Sequence, residues 1–122
     1  MAAPNLAAVS TITGKTIGVA SLTTTVTTAQ LTCPANKALK INTIIAANID
    51  GTNDATVTAS VYDVSNVAIY HLAYTVAVTA DTTIILLTRD CAIYLEEGDQ
   101  LRAGASATGD ISLLISYEEL SN

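Results

Sequence analysis

Short runs of alternating β-branched and small polar residues, each closed by a turn signal about ten positions on, leave this chain almost no room for a helix. From Ala55 to Tyr62, Val57, Ala59 and Val61 fall on one side and Thr56, Thr58 and Ser60 on the other, the period of a strand with one buried face. The preceding run, Ala38 to Ile49, sets Leu39, Ile41, Ile45, Ala47 and Ile49 against Lys40, Asn42 and Asn48, with Ile44 interrupting the alternation. Between the two runs, Asp50-Gly51-Thr52-Asn53-Asp54 is hairpin chemistry: Gly reaches positive φ and Asx side chains bond the local backbone.

The same pattern continues. Asp63-Val64-Ser65-Asn66 is a second turn, and Val67 to Val78 places Tyr70, Leu72, Tyr74, Val76 and Val78 toward the core, opposite Ile69, His71, Ala73, Thr75 and Ala77. Thr82 to Thr88 is apolar on both faces, so both need covering, one by the core and one by a neighbour. Ala92 to Leu95 leads into Glu96-Glu97-Gly98-Asp99, a tight turn with Gly98 left-handed. Leu101 to Ala105 and Ile111 to Tyr117 complete the series, the latter with Ile111, Leu113, Ile115 and Tyr117 inward, and Glu118 to Asn122 is expected to leave the sheet as an acidic tail. The expectation is all-β: an antiparallel, jelly-roll-like β-sandwich of about seven to eight strands. It occupies residues 31–122, while residues 1–30, rich in Ala and Thr, form an extended N-terminal arm or an edge strand. On the arm reading, a chain lacking Met1 to Thr28 still folds.

Composition excludes several classes. Half of the 122 residues are hydrophobic, but only 4% are aromatic and 13% charged; Thr (19) and Ala (20) dominate. A mean hydropathy of +0.45 is too high for a disordered chain. Uninterrupted apolar runs such as Ile84 to Leu87 fall far short of the about 20 residues of a membrane helix. A net charge of −6 with five scattered basic residues (Lys15, Lys37, Lys40, Arg89, Arg102) cannot neutralise a row of phosphates, which argues against nucleic acid and anionic membranes as partners. Met1 to Asn5 lacks the basic and apolar regions of a secretory signal. Cys33 and Cys91 are too few for a disulfide framework and are expected as free, buried thiols of a reducing cytosol rather than as a pair.

No constellation for catalysis emerges. The single histidine, His71, has no acidic orienter or oxyanion site signalled near it and is expected exposed or at an interface. Glu96-Glu97 and Glu118-Glu119 are adjacent pairs whose members point to opposite faces of an extended chain, in solvated positions. Asp50 to Asp54 offers hard oxygens for Ca²⁺ but lacks the EF-hand spacing and serves better as a hairpin cap. One His and two separated Cys cannot supply the four ligands of a structural zinc. For a sugar platform only Tyr62 and Tyr94 are available. No catalytic residue, metal or cofactor is expected; the low charge and the two-faced strand point instead to surface covered by other chains.

The opening Met1-Ala2-Ala3-Pro4-Asn5, the segments Ser10 to Thr16 and Ser21 to Thr24, Lys40 to Ile44 running into Ala47 to Asn53, the turn Tyr94 to Asp99 and the closing Ser116-Tyr117-Glu118-Glu119 resemble small virion structural proteins of tailed phages infecting cyanobacteria. That resemblance implies a non-enzymatic β-sandwich, made in the bacterial host cytoplasm and built into the virion. The implied place is the outer surface of the capsid, as a decoration (cement) protein that bridges subunits of the major capsid protein and forms homotrimers. The alternative it leaves is a tail, neck or fibre component, with a receptor- or glycan-binding role.

Overall fold

The computed structural model describes residues 4–122; Met1 to Ala3, the start of the resembling segment, lie outside the described residues. Nine strands form two sheets: β1 (Thr11–Val19), β2 (Ala29–Thr32), β3 (Ala38–Asn48), β4 (Ala55–Asp63), β5 (Ala68–Val78), β6 (Thr83–Leu87), β7 (Ile93–Leu95), β8 (Gln100–Ala105) and β9 (Ile111–Ser121). One sheet runs β1-β9-β3-β6, with β7 also pairing β3; the other runs β2-β8-β4-β5. Every pairing is antiparallel.

The order has a simple origin. The chain doubles back at the β4–β5 hairpin, so that β4 pairs β5, β3 pairs β6, β2 pairs β8 and β1 pairs β9. This doubled ribbon is wound until β9 meets β3 and β8 meets β4. That is jelly-roll winding, and it confirms the all-β sandwich expected from the alternation.

The core between the sheets is aliphatic. Leu22, Leu39, Ile41, Ile44, Val57, Val78, Leu95, Leu101, Ile111 and Ile115 are fully buried, with alanines such as Ala46, Ala59 and Ala103 letting the sheets close without aromatic filler. Leu22 belongs to the first thirty residues, and its N–H donates to the Ile111 carbonyl. Residues 23–28 then follow β8, whose Ala103 and Ala105 N–H groups donate to the Thr28 and Thr23 carbonyls. Residues up to Thr28 therefore supply β1, a core leucine and partners of β8, so a chain lacking Met1 to Thr28 should be less stable than the whole.

Four expected details differ. In β3 the register shifts between Ile41 and Thr43, so Asn42 is an extra residue and the alternation changes phase. Ile44 and Ala46 are buried, while Ile45 and Ala47, expected inside, are half-buried on the outer face and Ile49 is exposed. In β5, register shifts against β4 and a positive φ at Thr75 (48°) turn Ala73 into the core and leave Tyr70 and Tyr74 exposed. In β6 a register shift against β3 sets Leu87, beside Ile44, into the core and Ile85, beside Ile45, outward and 60% exposed, so the face expected to be covered by a neighbour is open. The expected acidic tail remains in the sheet: β9 runs to Ser121, Glu119 lying between the Lys15 and Lys37 ammonium groups at 3.1 and 2.9 Å.

Candidate functional site

The outer face of the five-stranded sheet is the broadest unusual surface. Antiparallel register places Gly18 of β1, Leu114 of β9, Ile45 of β3 and Ile85 of β6 in one row across four strands. Leu114 is 46% exposed although its neighbours Leu113 and Ile115 are buried. Beside this row lies an open cleft of about 570 Å³, with Ala20, Ala47, Thr83 and Ser112 among its walls. A β-carbon at Gly18 would lie 3.8 Å from Leu114 Cδ1, in ordinary contact with the row.

Along the same face the next row is polar: Thr16, Ser116 and Thr43 stand side by side, beside a second cleft of about 430 Å³ that also touches Arg89 and Glu118. The bulged Asn42 borders it, and its Oδ1 is a buried acceptor with no hydrogen-bond partner among the described residues. One half of the face is thus apolar and the other hydroxyl-lined, an arrangement suited to covering by another macromolecule. The sequence signal for it is Leu114, an apolar residue at an outward position of an otherwise regular strand.

The residues singled out from the sequence are dispersed. His71 is exposed on β5, its ring edge-on to Tyr74 at 4.9 Å between centroids. Tyr62 lies under the Arg102 guanidinium at 4.0 Å in the four-stranded sheet, whereas Tyr94 is on β7 of the other; they form no shared platform. Cys33 is buried and Cys91 exposed, both free, so burial holds for one of the two thiols. The Cys33 thiol is pushed up to about 11, chiefly by burial.

The acidic clusters are engaged by their own backbone. Asp50 Oδ1 accepts from the Thr52 and Asn53 N–H groups and Oδ2 from the Asn53 amide, with Thr52 the main cause of an Asp50 carboxyl below its ordinary range. Asp63 repeats this arrangement with Ser65 and Asn66, and its carboxyl is likewise lowered, first by the Ser65 hydroxyl. Asp-x-x-Asn is therefore a turn cap used twice. Asp54 accepts from the Ala80 N–H and Glu97 from the Asn36 N–H. Among the described residues no three His, Cys, Asp or Glu side chains cluster as a metal site.

Asp99 was missed as a structural centre. Nearly buried, it accepts from the Val64 and Glu96 N–H groups and so ties the 63–66 turn to the 96–99 turn.

No protein-family model matches the chain, and no curated protein matches it. Among solved structures it is similar, at 14% identity and a TM-score of 0.39 over 88% of its length, to a chain of "Structure of infectious bursal disease virus Gx strain". The chain spans about 31% of that chain's length.

Proposed function

We propose that this protein is a non-enzymatic structural component of a phage virion, a capsid decoration (cement) protein seated on the major capsid protein at the outer surface of the head. The observation that carries this reading is the Gly18-Leu114-Ile45-Ile85 row, an apolar stripe on the solvent side of a sheet whose other side is already packed. The sequence resemblance to phage virion proteins supports it. The jelly roll hosts capsid and lectin domains alike, so the fold by itself does not choose between a shell role and a glycan-binding one.

Magnitudes suggest how such a protein would hold. Full burial of an exposed Leu or Ile gains about 1.5–3 kcal/mol, and the stripe side chains are already partly covered. Association costs about 4–15 kcal/mol in lost freedom, so the stripe alone leaves one isolated copy weakly held. If copies are joined in an oligomer, engagement of one seat raises the effective concentration of the linked copies at theirs. Net charge −6 suits an outer surface that does not trap nucleic acid.

The test is the protein's copy number in purified particles, by quantitative mass spectrometry. A number on the scale of the capsid subunits supports decoration, while the few copies of a tail or fibre component would overturn it. Leu114→Lys should fold normally yet be lost from particles; normal incorporation would show that the stripe is not the seat.

A further inference from the structure

Among the described residues, seven of the thirteen exposed large hydrophobic side chains lie from Val64 to Ile85. Four of them, Ile69, Tyr70, Tyr74 and Val76, belong to β5, with Tyr70 59% and Tyr74 68% exposed. This strand is the edge of the four-stranded sheet, pairing only β4. An edge strand offers a row of unpaired N–H and C=O groups, and soluble proteins usually guard it with Lys, Pro or brevity. β5 is 11 residues long, and from Val64 to Ala80 the sequence has no Lys, Arg, Asp, Glu or Pro. The opposite edge of the same sheet, β2, has four residues, and the edge strand β1 carries Lys15.

We infer that the β5 edge is where two copies of this chain meet, antiparallel across a two-fold axis, making the two four-stranded sheets continuous. Three observations favour a second copy as the occupant. Each copy carries −6, so like-charge repulsion opposes association except through an uncharged strip, and β5 with its flanks is such a strip. An antiparallel edge is self-complementary about a two-fold, each residue meeting its partner reciprocally. The exposed apolar side chains from Val64 to Val76 amount to on the order of 600 Å², near the about 800 Å² per partner of a stable interface once the strand backbone is added.

The geometry also limits the contact. Ala68 to His71 pair β4 in unbroken register, whereas the register shifts beyond His71 and Thr75 has φ 48°. Shared hydrogen bonds therefore centre on Tyr70, which meets its own copy at the axis with Ile69 opposite His71, and Tyr74 and Val76 flank the side-chain contact. This two-fold contact differs from the three-fold arrangement that the phage resemblance implies, and it concerns the purified protein alone, so it stands or falls apart from the virion role.

The experiment is sedimentation velocity of the full chain across a concentration series, with Tyr70→Lys on the edge and Leu114→Lys on the opposite sheet as control. The expected result is a dimer for the wild type and for Leu114→Lys, and a monomer for Tyr70→Lys with an unchanged far-UV circular dichroism spectrum. In a Cys91→Ser background, Tyr70→Cys should form a covalent dimer under mild oxidation. A wild type that is monomeric throughout, a trimer, or a Tyr70→Lys protein that keeps the dimer mass would overturn the inference.

Discussion

Gly104 lies directly beneath the backbone of Val26: a β-carbon at position 104 would stand 2.7 Å from the Val26 Cα and 2.9 Å from the Thr25 carbonyl oxygen. Since backbone rather than a flexible side chain occupies that space, Gly104→Ala must push residues 25–26 off β8. The expected loss is about 1–3 kcal/mol in urea melts. Gly14→Ala, with open space around its site, should stay within about 0.5 kcal/mol of the wild type. Equal effects at the two positions would remove the close approach as the cause.

Asn48 joins the two sheets. Its Nδ2 donates to the Val78 and Asn53 carbonyls at 2.9 and 3.0 Å, and its Oδ1 accepts from the Asp50 N–H at 2.9 Å. Asn48→Ala leaves three polar groups without these partners and should lower stability by about 2–3 kcal/mol. A loss under about 1 kcal/mol would mean that water replaces the amide there.

The two cysteines should separate cleanly in alkylation. At about pH 8 the Cys33 thiol, held up to about 11 mainly by burial, has almost no thiolate, whereas Cys91 is open to reagent. Iodoacetamide should label Cys91 in the native protein and Cys33 only after unfolding, as read by peptide mass spectrometry. Native labelling of Cys33 at a comparable rate would contradict the buried geometry.

Glu119 sets a pH dependence of defined sign. The Lys37 ammonium, with Lys15 on its other oxygen, holds the Glu119 carboxyl below its ordinary 4.5. A carboxyl with a depressed folded pKa contributes stability above its unfolded pKa and loses it as pH falls through the folded value. Glu119→Gln should therefore cost about 1 kcal/mol or less at about pH 7, because both lysines are substantially exposed, and the gap should narrow as the pH falls below 4.5. A gap that widened on acidification would have the wrong sign for this ion pair.

The strands were legible wherever pairing keeps the period of two intact: Val57 and Ala59, or Ile111, Leu113 and Ile115, are buried as their alternation requires. What the sequence concealed are register changes. One extra residue, Asn42, reverses the facing of Ile45 and Ala47, and the interruption at Ile44 was its only trace. Tyr70 and Tyr74 read as core because they are apolar, yet the shifts in β5 turn them outward. Glu118 to Ser121 read as a tail because isolated carboxylates avoid sheets; the lysines that neutralise Glu119 lie 104 and 82 residues away. The outer stripe depends wholly on which strands become neighbours, which alternation within one strand cannot supply.

The doubled ribbon also dictates a timetable. Asp63 meets Ala68 across a short turn, but Thr11 must wait for Ser121, and every pairing between these limits spans a longer loop than the one before. Closure entropy grows with each step, so folding proceeds from the β4–β5 hairpin outward, and pulse-labelled hydrogen exchange should show its amides protected before those of β1. During synthesis β1 leaves the ribosome long before β9 exists. Its three threonines, Lys15 and two glycines then help keep an unpaired strand soluble through the longest delay in the molecule.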